Sequence, residues 1–282
     1  MRRLDLQPRS HRSSESTPPE FCSIPQNIPW MPPGLLMTAL ETSPEAAPEA
    51  ASKVAQEATA ACKAVADWLF QQGKAQYDVG QFAEAAQRWE RSLQIYGALK
   101  CQRDEAATVG NLAHAYRNLG QYPQAIAAYK QRLAIAQQSQ DWSMVGQTWN
   151  NLGLSYNRLG QFWQAIAAYG EALVIFRKLK ARRSEGATLG NLGLVYGNLG
   201  DTDKAIALYQ QALALAQDTG DRQRQANALG NLSLVYDSLG RPQQAIAFQQ
   251  QRLAVLQGYG KPPQHQHAEV SPSPSMALAV AS

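Results

Sequence analysis

Histidine and cysteine are the side chains best suited to acid–base, nucleophilic or metal chemistry, and this 282-residue chain has only four of the first and three of the second. Cys22, Cys62 and Cys101 stand far apart and form no C-x-x-C pair. An odd, widely spaced set argues against a disulfide framework and fits a reducing compartment. His265 and His267 offer two imidazoles near the C-terminal end, too few for a structural metal site. His114 alone lies in the patterned middle of the chain, with no predictable carboxylate or thiol partner, so it reads as a groove or surface residue and not as a general base. There is no G-x-x-x-x-G-K-[ST] loop and no H-E-x-x-H helix, and the recurring "GNLG" follows no strand that would make it a phosphate loop. The expectation is a non-enzymatic protein without catalytic residue, metal or cofactor.

A different polar group recurs with regularity. Asn111, Asn151, Asn191 and Asn231 follow one another at a constant interval. Three residues on come His114, Leu154, Leu194 and Leu234, and six on come Arg117, Asn157, Gly197 and Asp237, with Arg158 beside Asn157. A side-chain amide carries two donors and an acceptor. Spaced regularly, such amides can bond the N–H and C=O of a peptide whatever its side chains. The leucines would add apolar contact, and Arg117, Arg158 and Asp237 some selectivity. Two other readings stay open: the asparagines bond neighbouring helices only, or the groove is covered by the chain's own tail or a second copy.

Placing these residues requires helices. The chain repeats "GNLAHAYRNLG", "NNLGLSYNRLG", "GNLGLVYGNLG" and "GNLSLVYDSLG", with a degenerate first copy "FQQGKAQYDVG". Glycines close the copies at 80, 120, 160, 200 and 240, and segments 150–189 and 190–229 match at 15 of 40 positions without a gap. Such a period points to a solenoid. Leu192, Tyr196 and Leu199 follow i, i+4, i+7 and predict the core face of a first helix. Gly200 predicts its left-handed end. A second helix follows, with Pro123 and Pro242 suited to its first turn and Asp201 and Asp203 to its N-terminal end. Ala205, Ile206, Tyr209 and Leu213 predict its buried stripe. Recurring Ala125, Ala165, Ala205 and Ala245 allow close approach between helices. At about 100° per residue, Asn191, Leu194 and Asn198 share a face well away from the core row.

One helix pair cannot bury its apolar stripe alone, whereas stacked pairs bury a continuous core. The fold class is therefore all-α: a right-handed α-solenoid of about five helix-turn-helix units (70–109, 110–149, 150–189, 190–229 and 230–257) with the first helices on the concave face. Trp142, Trp149 and Trp163 are expected to pack within it. The array takes in residues 49–260, its first helix starting upstream near Glu49, with Val54, Ala58, Ala61 and Val65 as an N-terminal cap. Residues 1–48 hold nine prolines and read as disordered; residues 261–282 read as a flexible tail. At the far end Gln249 replaces the expected tyrosine, and no capping helix follows. A homodimer through this C-terminal unit is one arrangement the sequence allows.

These residues resemble the tetratricopeptide repeat family. Trp149, Leu152, Gly153, Tyr156, Gly160, Ala165, Tyr169 and Ala172 occupy its signature positions in order, over a match spanning about residues 66–257. The unit, measured from Gly160 to Gly200, is longer than the common one of about 34 residues, and the usual proline after the second helix is absent. The longer unit is similar to that of kinesin light chains, bacterial peptide-sensing regulators and many cyanobacterial proteins. In such families an asparagine at this position holds peptide backbones, which the resemblance carries to Asn111, Asn151, Asn191 and Asn231. Unit one has Gln71 there. The implied function is a scaffold or adaptor binding a peptide of a partner protein, or alternatively a regulatory sensor acting on a separate effector.

Composition agrees. The net charge of +4 in a chain with 45% apolar residues shows no Lys/Arg stripe of the kind nucleic-acid binding requires. No run approaches the roughly 18 apolar residues of a membrane span, and no apolar core follows Arg2 and Arg3 to make a secretory signal. A cytoplasmic protein with a protein or peptide partner, and neither nucleic acid nor membrane, is the expectation.

Overall fold

The computed structural model describes residues 47–258, with side chains from Ser52 onward. Ten helices and no strand occur among the described residues. The helices are α1 (Ala47–Asp78), α2 (Phe82–Ala98), α3 (Gln102–Asn118), α4 (Tyr122–Gln138), α5 (Trp142–Arg158), α6 (Phe162–Lys178), α7 (Arg182–Asn198), α8 (Thr202–Asp218), α9 (Arg222–Ser238) and α10 (Pro242–Gln257). They pack in consecutive antiparallel pairs, each pair also meeting the next. This is the stacked α-solenoid that the period predicted. The segments expected to be disordered or flexible lie outside the described residues, apart from Ala47 and Pro48, which open α1.

Each helix from α2 to α9 has 17 residues and is followed by a short connector of constant length. Every connector turns by the same device. At the first pairing, Gly80 N–H donates to the carbonyl of Tyr77 and Gln81 N–H to that of Gln76, the paired bonds of a Schellman cap. That cap needs one residue in the left-handed region, supplied by glycine at 80, 120, 160, 200, 220 and 240. At 100, 140 and 180 the residue is Lys, Gln and Lys, with φ between 53° and 57°. The turn between units is thus the turn within a unit, a regularity the glycine pattern only half revealed.

The next helix then starts at once. Asp141, Asp201 and Asp221 accept hydrogen bonds from the backbone N–H of Met144, Lys204 and Arg224, satisfying one orphan donor each. Pro123 and Pro242 sit in first turns, where a missing N–H costs nothing. The first helices begin two turns before the shared "GNL" pattern, so a window such as 150–189 ends inside α7. The pairs proper are α1/α2 through α9/α10. The helix predicted from about Glu49 begins at Ala47.

The core follows the predicted stripes with one correction. Ala125, Ala165 and Ala205 are wholly buried and Ala245 nearly so. Tyr129, Tyr169 and Tyr209 are buried as well. Space for the rings comes from small residues opposite: a Cβ at Gly153 would lie 2.6 Å from Cε1 of Tyr169, and one at Gly193 would lie 2.8 Å from Cε1 of Tyr209. Leu192 is buried and Tyr196 half-buried, but Leu199 is exposed because it is the cap residue of α7 and the chain leaves the helix there. Leu189 and Val195 hold the core instead. Of the tryptophans expected to pack, Trp149 lies against the core, while Trp142 and Trp163 are exposed. In the N-terminal extension Val65 and Ala58 are half-buried, whereas Val54 and Ala61 are exposed.

Candidate peptide groove on the first helices

The first helices of successive units approach one another. α5 touches α7 and α7 touches α9, with no comparable approach among second helices. In a curved stack the crowded row is the inner one, so the first helices form the inner surface. Polar side chains bridge them. Asn118 Nδ2 donates to Tyr77 Oη at 2.7 Å, Asn191 Nδ2 to Asn150 Oδ1 at 3.2 Å, and Asn198 Nδ2 to Asn157 Oδ1 at 3.2 Å. Thr188 Oγ1 also donates to Asn150 Oδ1.

The four asparagines of the ladder are all half-buried, on the side of their helices that meets this row. Their bonding differs. The Asn191 amide is engaged by Asn150, and Asn151 Oδ1 accepts from Arg117 Nη1 at a long 3.5 Å. Asn111 and Asn231 have no side-chain hydrogen bond among the described residues. A half-buried amide without a partner retains unused capacity. Sequence reasoning missed Asn150 as a functional residue, although it stands where units two, four and five have glycine.

The neighbours of the ladder divide into two zones. Toward the N-terminal end, on α3, lie His114 and Arg117, and Arg158 follows in the middle unit, on α5 beside Leu154. Arg117 is half-buried and Arg158 exposed. The His114 ring faces its own helix pair, with Nδ1 lying 3.1 Å from Tyr129 Oη, and the rings meet edge to face. Burial, helped by the charges of Arg117 and Arg132, holds its pKa down at about 4, so the imidazole is neutral at neutral pH. The neutral ring and the Tyr129 hydroxyl share one hydrogen bond at Nδ1, and burial raises that phenol to about 12. Arg132 is half-buried with its Nε unpartnered, and the Tyr169 hydroxyl is likewise unpartnered. Toward the C-terminal end the groove turns apolar: Leu154 is half-buried, and Leu194 and Leu234 are exposed. Asp237 lies exposed at that end. Asn157 faces α7, where it meets Asn198.

The surface can therefore offer amides, cations at one end and leucines at the other. Among the described residues no group of three or more His, Cys, Asp or Glu side chains could hold a metal ion. None of the helices there is long and apolar enough to cross a membrane.

Comparison with known proteins bears on the same fold. No curated protein sequence matches the chain. Among solved structures it is similar to BtubC (BKLC) from P. vanneervenii, at 23% identity and a TM-score of 0.63, covering 83% of this chain and 94% of the other. A putative kinesin light chain of Podosopora anserina, built of nearly identical repeats, superposes with a TM-score of 0.58 at 20% identity, covering 70% of this chain and 97% of the other. The Rap conjugation gene regulator of the plasmid pLS20, in complex with the Phr* peptide, gives a TM-score of 0.56 at 16% identity, covering 68% and 53%. These likenesses show the fold. The sequence profile of the tetratricopeptide repeat matches residues 104–178 and 184–258, more than half of the 282 residues, and with the paired helices it establishes that the chain belongs to the tetratricopeptide repeat family.

Proposed function

We propose that this protein is a non-enzymatic interaction scaffold that holds a peptide segment of a partner protein on the inner face of its first helices. The carrying observation is the asparagine ladder: four half-buried amides at one position of consecutive first helices, of which Asn111 and Asn231 have no side-chain partner among the described residues. Amides so placed suit the backbone of the bound segment. The exposed Leu194 and Leu234 suit an apolar side chain at the C-terminal end. Arg117 suits an acidic one at the other, and Arg158 one at the middle unit. The pLS20 regulator, a distant likeness in fold, has been solved with a peptide, which supports the reading without assigning its ligand here.

The ladder's unequal bonding supplies the test. Asn111→Ala with Asn231→Ala removes amides that support no described hydrogen bond. The double variant should lose at least tenfold in affinity for the captured partner peptide while its Tm stays within about 2 °C, since surface changes are usually within about 0.5 kcal/mol. Asn191→Ala also breaks the bond to Asn150 and should lower the Tm as well, by about 1 kcal/mol of stability. Calorimetric titration and thermal melts on the full chain separate these effects. Unchanged affinity in the double variant would leave the ladder with a packing role only.

A further inference from the structure

The last helix exposes a face that every earlier second helix covers. In α8, Ala205, Ile206, Tyr209 and Leu213 pack against Leu232 and Val235 of α9. The same positions in α10 are Ala245, Ile246, Gln249 and Leu253, and no helix follows among the described residues. Ile246 is 56% exposed where Ile126 is 9%, and Leu253 is 55% exposed where Leu133 and Leu173 are 8% and 7%. Leu256 is 39% exposed where Ala136, Phe176 and Ala216 are 3% or less.

We infer that this face of α10 pairs with the same face of a second copy, forming a two-fold dimer. The exposed residues are spaced for it. Ile246, Gln249, Leu253 and Leu256 fall at i, i+3, i+7 and i+10, the seam along which two helices interlock side by side. The one polar member, Gln249, carries an amide that is both donor and acceptor, so it can satisfy itself across a two-fold axis. Arg252 is the only charged side chain on α10. Its guanidinium lies beside Gly230, 3.5 Å from where a Cβ there would stand, so repulsion across the seam is small.

Two other occupants fit less well. The segment next to α10 has prolines at 262, 263, 272 and 274, so that up to Pro274 no proline-free run is longer than the eight residues 264–271, short of what the face of α10 needs. The head of a second copy would extend the stack end to end, but α1 lacks the matching side chains. Where α3, α5, α7 and α9 present the buried Leu112, Leu152, Leu192 and Leu232 to the preceding helix, α1 carries Gln72, exposed. Trp68 of that face lies under Arg88, 5.7 Å from its ring centroid. A polar head and an apolar tail join tail to tail and close at two copies.

One helix face is small beside the roughly 800 Å² per partner of a standard interface, so the dimer is expected in the micromolar range. Sedimentation of the full chain should show monomer passing to dimer between about 1 and about 200 µM. Leu253→Glu and Ile246→Glu should each weaken it at least tenfold with unchanged helicity, since both positions are exposed in the single chain. Gln249→Cys with Leu253→Cys should give a disulfide between copies, mapped to these positions by mass spectrometry, whichever way the helices run. A wild-type chain still monomeric at the top of that range overturns the proposal, as do assemblies that grow past two copies. If Met276→Glu with Leu278→Glu and Val280→Glu strengthens pairing, the tail is the native occupant and the proposal likewise fails.

Discussion

His114 shows what one residue's surroundings decide. In the sequence it is the only histidine within the repeats, open to assignment in the groove. In the structure its ring lies against Tyr129, and burial beside Arg117 and Arg132 lowers its pKa to about 4. The unfolded chain binds a proton at this site near pH 6.5, the folded chain only near 4. Stability from His114 is therefore complete above pH 6.5 and is lost as the pH falls toward 4, by at most on the order of 3 kcal/mol. His114→Gln keeps a polar partner for Tyr129 and cannot titrate. Denaturant melts should show a shallower decline for the variant between pH 7 and 4.5; parallel curves would place the acid sensitivity elsewhere. The asparagines are legible at this scale because they recur. Asn150 is not, because its partnership with Asn191 and Thr188 crosses units and breaks the repeat.

At the scale of the element, the helices and their glycine ends are readable from period and punctuation. The alternate connectors are not. Lys100, Gln140 and Lys180 have no local preference for the left-handed region, yet each holds it because the Schellman bonds and the packing of the next unit demand it. Leu199 departs from its expected place for a related reason: apolar spacing runs one turn past the place where the helix ends. These lysine and glutamine turns are strained relative to glycine. Lys180→Gly should thus raise stability by roughly 0.5–1 kcal/mol despite glycine's greater freedom in the unfolded chain. Glu171→Gly, at an exposed position in the middle of α6, should lower it by about 1 kcal/mol. Chemical denaturation of the two variants checks the pair, and equal losses would mean that the turn at 180 carries no strain.

For the whole molecule, stacking is legible because neither helix of a pair can bury its stripe alone. The inner row of first helices and the altered last unit at Gln249 are legible as well, whereas the degree to which Ile246 and Leu253 stand exposed is not, since it depends on which neighbour is missing. Each pair touches only adjacent pairs, so local stability should follow position in the stack. Hydrogen exchange at low protein concentration should be slowest in α4 to α7, which are covered on both sides, and fastest in α10, where only Ala245 is buried. Uniform protection would mean that the array opens as one unit.

The identical connectors also make the chain a ruler with evenly spaced marks, at 80, 100, 120 and so on to 240. Parity, and not turn chemistry, then decides which side of the curve a segment lines. Inserting a whole helix pair would lengthen the array and leave every later side chain on its own side. Inserting a single helix with its connector would preserve each turn and yet carry all later helices from the inside of the curve to the outside. Tandem duplication in such a gene is thus free to add whole pairs, while an odd helix turns the remaining amides away from the inner face.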